Sequence, residues 1–476
     1  MNIQIPIAFS IYFLALIFIG YIFSKKIKDS STFILGGRST NYWVTAIALQ
    51  ASDMSHWLFL GFPAVVCATG LIRIWEILGI VLFMFLSWHF VAPRIRVETE
   101  KLGALTLFSY FEKRFSDTSG KIRILTSIIC VFFLTFYISS GLVALGRLFE
   151  NALGLTYKIG VFVGVGITLT YTLIGGFLAV AWCDFFQGLF ALAMIVLVPT
   201  LALYSAGGWL AITQAAAQKG VSLSFFPSNN STYTSIGQIL SLLLIWGPGY
   251  FGQPHLISFF MGIKNPKNIK YAKFIGLSWQ LITLSSSALI GLAGLAYFQN
   301  CNEMIYVNLT KALFSPAFAG IILCAIIAAT LSTLDSYILT SGATIAQDLY
   351  KKIIKQKASS KQVLFVSRLC SFLVSIAALA IAFNENNKIY DIIKYGWSGM
   401  GSAFGPLVLA SLFSNRINRH GALAGIITGA TIAGIWPQLN TSIPAIIPGF
   451  ITSYISIFLT SFITKNNKSA YDFTKS

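Results

Sequence analysis

The chain has 476 residues, of which 56% are hydrophobic and only 10% charged, with a mean hydropathy of +0.76. A soluble domain carries about 25% charged residues, so this composition predicts a polytopic all-α membrane protein whose core is built between helices. The net charge of +18 is scattered over separate loops instead of forming one stripe, which argues against nucleic-acid binding.

Apolar runs of about 20 residues predict thirteen spans, near 5–24, 42–69, 73–92, 122–149, 157–178, 183–204, 233–255, 272–297, 313–346, 364–384, 391–414, 420–437 and 443–464. The first run has no cation before it and no cleavage pattern after it, so it reads as a retained helix. Segments 25–38, 94–123, 264–273, 351–368, 416–419 and 465–475 hold 26 of the 33 lysines and arginines. All six fall on one side of a thirteen-span arrangement. The positive-inside rule makes that side cytoplasmic, with the N-terminus outside and the C-terminus inside.

The second span contains Ala48-Leu-Gln-Ala-Ser-Asp-Met-Ser-His-Trp-Leu58. A carboxylate at Asp53 costs roughly 3 kcal/mol in a spanning helix, so it should face protein, water or a cation. The chain is expected to bind something within the bilayer.

Six cysteines (67, 130, 183, 301, 324 and 370) are spread singly, and only Cys301 lies in a predicted external loop. No disulfide framework or metal-ligand spacing follows from them. The four histidines, His56, His89, His255 and His420, form no cluster in the sequence.

The seventh span holds Leu244-Ile-Trp-Gly-Pro-Gly-Tyr-Phe-Gly-Gln-Pro-His255. Gly247-Pro248-Gly249 interrupts helical hydrogen bonding, producing either a kink or a full break at mid-membrane. The second span offers a matching irregularity between Asp53 and Pro63. Interrupted helices at corresponding places in two halves point to a transporter with its site where the breaks meet.

In the ninth span, Ala328-Ala-Thr-Leu-Ser-Thr-Leu-Asp-Ser336, the residues Ala329, Ser332 and Thr333 share one helical face. Two hydroxyls and a carbonyl there can cage a hard cation such as Na⁺. Equally, they can bond back to their own helix or glue neighbouring helices.

Taken together, Ile34-Leu-Gly-Gly-Arg38, Ala51-Ser-Asp-Met-Ser55 with Trp57, Gly175-Gly-Phe-Leu-Ala-Val180 followed by Asp184, the run from Trp246 to His255, and Ser332-Thr333 resemble the solute:sodium symporter family. Gly141, Arg147-Leu-Phe-Glu150, Asp348-Leu-Tyr350 and Gly421-Ala-Leu-Ala-Gly425 extend the resemblance over about residues 5–464. Within the family the chain looks most like the bacterial sodium/proline symporters.

The resemblance implies a single transporter domain over 1–476 with a LeuT-like 5+5 inverted repeat, repeat one at about 42–204 and repeat two at about 233–414. One helix (5–24) precedes the repeats and two (420–464) follow them. For the coupling ion it implies the carbonyls of Ala51 and Met54, together with Ala329, Ser332 and Thr333. Asp53 then stands beside the ion, and Asp184 and Arg38 belong to the coupling or exit path. Asp184 also has the simpler reading of a charge at a helix N-terminus. For the organic substrate the resemblance implies Trp57, Tyr137, Trp246, Tyr250 and Pro254, a box suited to a compact apolar ring, with Gln253 and His255 given no role.

The implied function is Na⁺-driven import of L-proline across the bacterial inner membrane by alternating access. No organic cofactor, covalent chemistry, nucleic acid or obligate protein partner is called for. Another small solute, such as pantothenate or a different amino acid, or coupling to H⁺, would leave the same motifs. A sensor is disfavoured because 12 residues follow the last span. Three departures stand out. His56 replaces a glycine beside the ion motif, the loop around 298–312 is short, and Asp335, a variable position, reads as supporting polarity only.

Overall fold

A computed structural model of the chain describes residues 3–24, 30–227, 232–385, 388–439 and 441–464. The cations at 25, 26 and 28 and the basic segment 465–475 lie outside the described residues.

The elements in chain order are α1 (Gln4–Ser24), α2 (Ser30–Leu35), α3 (Tyr42–Met54), α4 (Gly61–Thr69), α5 (Ile74–Leu86), α6 (Ala92–Lys101), α7 (Leu107–Arg114) and α8 (Lys121–Leu153). There follow α9 (Tyr157–Ser205), α10 (Trp209–Gln218), α11 (Thr232–Leu244), α12 (Pro254–Gly262), α13 (Ile269–Tyr297) and α14 (Ile305–Leu313). The last are α15 (Pro316–Thr344), α16 (Ser360–Ala382), α17 (Ile389–Phe413), α18 (Arg419–Ile435) and α19 (Ile446–Ile463). One isolated bridge joins Thr40 and Ile263. Otherwise the described residues are helical or irregular.

Helical segments lie on every predicted apolar run. Eight of those described are long and apolar enough to cross a membrane. The fifth and sixth runs form one helix, α9, bent at Gly176, whose φ of 58° lies where only glycine is comfortable. Short helices α2, α7, α10 and α14 occupy stretches expected to be loops, as does nearly all of α6. They are below spanning length, so a search for long apolar runs does not register them. Helix α7 is fixed at its start by a reciprocal capping box between Thr106 and Ser109.

Both predicted irregularities are complete breaks. Helix α3 stops at Met54, Ser55 takes a left-handed φ of 47°, and a short 3₁₀ turn at His56–Leu58 leads to α4. A non-glycine residue in that region is strained and is held there by its surroundings. The second break runs through the 3₁₀ turn Gly247–Phe251 to Pro254 at the start of α12.

A broken helix frees carbonyls that lipid cannot satisfy, and neighbouring side chains accept that task. Ser287 of α13 donates to the Leu58 carbonyl. The Trp397 indole donates to the Trp246 carbonyl at 2.9 Å, and Ser87 donates to that of Tyr250 at 3.1 Å. Close approach explains the glycines of the second break. A methyl group on Gly249 would lie 2.2 Å from Trp397 Nε1, and one on Gly252 would lie 2.3 Å from the backbone nitrogen of Gly405. Gly252→Ala is therefore expected to lower the melting temperature, at a cost of about 1–3 kcal/mol. An unchanged melting temperature would show that α17 can yield at this contact.

The cysteines hold a correction. Cys67, near the end of α4, is joined to Cys301 in the α13–α14 connection by a disulfide across 234 residues. Helix packing causes it. Gly291 of α13 lets that helix press on α4, so close that a methyl group would lie 2.5 Å from the Pro63 carbonyl oxygen. The outgoing end of α13 thus delivers Cys301 beside Cys67, a meeting that spacing along the chain cannot reveal. Alkylation of denatured, unreduced protein should label only the other four cysteines. Labelling of all six would contradict the pairing.

At the end carrying the basic loops, arginines of the first half bridge to the second half. The last carbonyls of α12 have no partner within their own helix, and cations from the first half of the chain take them. Arg38 donates to Met261 O at 2.7 Å and to Ala104 O at 2.8 Å, while Arg96 donates to Ile263 O at 2.7 Å. Burial, and then the nearby Arg96, lower Arg38 to about 10, so it stays protonated at neutral pH.

Candidate functional site

The two breaks lie against α15 and α17. On the α15 side, the Ser332 hydroxyl donates to the Ala51 carbonyl at 2.9 Å and that of Thr333 to the Ser52 carbonyl at 2.9 Å. Both hydroxyls also lie 3.1–3.2 Å from the Ala329 carbonyl. The last turn of α3 and the hydroxyl face of α15 therefore form one buried patch of oxygens. A proton donor occupies each hydroxyl's bond to α3, and rotating those donors away would turn lone pairs towards a cation. Met54 is buried at the end of the same turn. Gly188 of α9 closes the opposite side, where a methyl group would lie 3.0 Å from Ala51 Cβ.

Asp53 is buried, and its Oδ2 accepts the Tyr250 hydroxyl at 3.1 Å. This bond ties the first break directly to the second. Around Tyr250 the rings of Trp57 and Trp246 stack with centroids 5.5 Å apart and planes 19° apart. Trp397 of α17 meets Tyr250 edge-on at 4.9 Å and Trp246 at 6.1 Å. Tyr137 of α8 is buried and packs edge-on against Tyr337 of α15 at 4.5 Å. Trp57, Trp246 and Tyr250 are thus joined into one aromatic cluster through Trp397, and Tyr137 meets α15 one turn beyond Thr333.

The other sequence-derived candidates stand apart from that cluster. Pro254 begins α12 and lines a small crevice with His255, Ser258, Phe177 and Ser336. Asp184 is buried on the second half of α9, where its Oδ2 accepts the Ser336 hydroxyl at 3.3 Å, and Asp335 lies within electrostatic reach. It therefore sits one turn along α15 from the hydroxyl pair. Arg38 lies at the basic end, in neither group. His56 is buried beside the break, and neither ring nitrogen has a hydrogen-bond partner among the described residues.

Sequence reasoning missed three residues of the aromatic cluster. Trp397 donates its indole N–H to the backbone of the second break. Tyr390 meets Trp246 edge-on at 5.5 Å. Glu76 accepts from both Trp246 and Tyr390. A glutamate close behind Arg73 at the edge of an apolar run gave one usable signal, since an acid there needs partners.

Opposite the basic loops, a cavity of about 1090 Å³ descends to Tyr390 and Gly61, with Arg73, Arg147 and Glu303 among the residues of its wall. Gly61 lies against Trp57 on one side and Tyr390 on the other. One face of the molecule therefore opens towards the aromatic cluster, and at the other Arg38 and Arg96 tie the two halves together.

Residues 33–429 match the model of the sodium:solute symporter family. The chain belongs to that family. It is 40% identical over 434 residues to the high-affinity proline transporter PutP of Bacillus subtilis, covering 90% of this chain and 91% of that one. The sodium/proline symporter of Escherichia coli is 37% identical over 447 residues, covering 91% and 88%. Among solved structures, a Na⁺-coupled sialic acid symporter superposes with a TM-score of 0.81 at 20% identity, covering 97% of this chain and 98% of its own. MHP1, a nucleobase-cation-symport-1 family transporter, superposes with a TM-score of 0.58 at 14% identity, covering 93% and 96%. The fold is therefore LeuT-like, an all-helical membrane transporter.

Proposed function

We propose that this family member is a secondary active symporter that couples Na⁺ entry to L-proline uptake by alternating access. The carrying observation is the Asp53–Tyr250 hydrogen bond. It joins the turn that offers oxygens to a cation to the ring cluster that offers a surface to an organic solute. Ion and solute are thereby linked through one contact between the two breaks.

In this account Na⁺ is held by the carbonyls of Ala51, Met54 and Ala329 and the hydroxyls of Ser332 and Thr333, with Asp53 supplying nearby negative charge. Proline lies against Trp57, Trp246, Tyr250 and Tyr137, its ring meeting aromatic faces and its charged groups meeting the broken helix ends. Pro254 shapes the path beneath, and Asp184 receives the ion on the way to the basic side. Arg38 holds that side closed until the solute has bound. Repeats at about 42–204 and 233–414 supply the two moving halves, and no organic cofactor or covalent step is involved. The names of the relatives at 37–40% identity support proline as the solute.

The protein sits in the cytoplasmic membrane with its basic loops inside and its N-terminus outside. Two independent features support this orientation. The cations follow the positive-inside rule. The Cys67–Cys301 disulfide lies on the opposite face, as expected for an oxidising exterior.

Linkage supplies the test. If Na⁺ strengthens proline binding to the purified transporter by some factor, proline must strengthen Na⁺ binding by the same factor. Proline affinity that ignores Na⁺ would remove the coupling. Saturable binding of a different solute, with none of proline, would replace the substrate.

A further inference from the structure

Glu76 stands in the first turn of α5 and is fully buried. Its Oε2 pairs with Arg73 Nη1 at 3.1 Å. Its Oε1 accepts two donors, the indole N–H of Trp246 and the hydroxyl of Tyr390 at 2.8 Å. Trp246 comes from the second break and Tyr390 from the first turn of α17. One carboxylate thus gathers three elements at the floor of the open cavity.

The chemistry of these contacts is directional. A tryptophan indole has a single donor, so a bond to it restricts the orientations the ring can take. Trp246 takes the orientation that stacks on Trp57. Tyr390 lines the cavity above and packs edge-on against Trp246 below, so it covers the aromatic cluster on the open side. Arg73 also lines that cavity and neutralises the buried carboxylate from the water-facing side. Among the described residues Glu76 makes no hydrogen bond or ion pair with Ala51, Ser332, Thr333 or Asp53. Its bonds all go to the rings and to the cavity wall.

We propose that Glu76 is a positioning residue for the substrate box, setting the plane of Trp246 and holding Tyr390 over the solute as its outer cover. This rests on the assignment of the aromatic cluster as the substrate site. It makes the Arg73–Glu76 pair part of solute recognition and closure, separate from the ion site. A carboxylate kept only as the partner of Arg73 would not need Oε1 aimed at both rings.

The test measures initial uptake by purified protein in liposomes over a range of solute concentrations, with Na⁺-induced thermal stabilisation read on the same preparations. Glu76→Ala should raise the apparent KM about tenfold or more. Glu76→Gln, which keeps an acceptor oxygen towards Trp246 and Tyr390, should stay within about threefold of wild type. Na⁺ stabilisation should be unchanged in both. Tyr390→Phe should raise KM on its own and add nothing in the Glu76→Ala background, a non-additivity that a generally loosened fold does not produce. If Glu76→Ala does not fold, Tyr390→Phe carries the test. A wild-type KM in Glu76→Ala or Tyr390→Phe, or a loss of Na⁺ stabilisation in step with uptake, overturns the proposal. A wild type that carries another small solute and no proline overturns the proline assignment alone, and the same variants are then measured with that solute.

Discussion

Truncating Trp246 or Tyr250 to Ala raises the apparent KM for proline by an order of magnitude or more while Na⁺ still stabilises the folded protein. The estimate follows from lost contact. Removing on the order of 100 Å² of apolar surface at about 25 cal/mol per Å² costs about 2.5 kcal/mol, and about 1.4 kcal/mol is a tenfold change in affinity. Trp246 touches the ring cluster and Glu76 but not the hydroxyls of α15. Its loss should therefore fall on the solute alone. Tyr250 also donates to Asp53, so Tyr250→Phe, which keeps the ring, separates the two roles. It should spare most of the solute contact and weaken the coupling between ion and solute. A purely structural aromatic would behave otherwise, lowering the yield of folded protein and leaving KM unchanged. Unchanged uptake and unchanged Na⁺ response in well-folded Tyr250→Ala would remove this ring from the box.

The second large effect is expected at the ion. Asp53→Asn, or Ser332→Ala combined with Thr333→Ala, should weaken Na⁺ activation by about 10- to 100-fold, the range typical when the groups supporting a metal site are removed. The amount of folded protein should change far less. The double variant also loses two hydrogen bonds to α3, at Ala51 and Ser52. Each is worth about 0.5–1.5 kcal/mol, so a modest drop in melting temperature should accompany the loss of activation. Normal Na⁺ dependence in a well-folded double variant would exclude both hydroxyls from the cation's shell.

The spans were legible because each is an apolar run set off by charge, and the second break because Gly247-Pro248-Gly249 cannot continue a helix. The first break turns at Ser55, without glycine or proline at the turning residue. Asp53 in an apolar run and the family resemblance marked it, and residue propensity did not. The hydroxyl face of α15 can be read from a four-residue spacing, whereas its pairing with the last turn of α3 comes only through the family resemblance. The two are 281 residues apart in sequence.

The wall of the aromatic cluster was largely hidden for the same reason. Trp397 and Tyr390 come from α17, where aromatics within a span read as ordinary packing. Glu76 lies in the first turn of α5, and its ring partners Trp246 and Tyr390 are 170 and 314 residues away in sequence. The disulfide depends on how α13 crosses α4, and crossings are not written in hydropathy. Short amphipathic helices such as α14 were lost to the length criterion that found the spans.

The most direct measurement is proline uptake by the purified protein in sealed liposomes, with Na⁺ and H⁺ gradients imposed separately and a panel of competing solutes. An inward Na⁺ gradient should drive accumulation of proline above its external concentration, and collapsing that gradient should abolish it. A H⁺ gradient alone should not support it, and unrelated small solutes should compete poorly. Accumulation driven by H⁺ without Na⁺, or Na⁺-driven uptake of another solute that proline does not inhibit, would contradict the account.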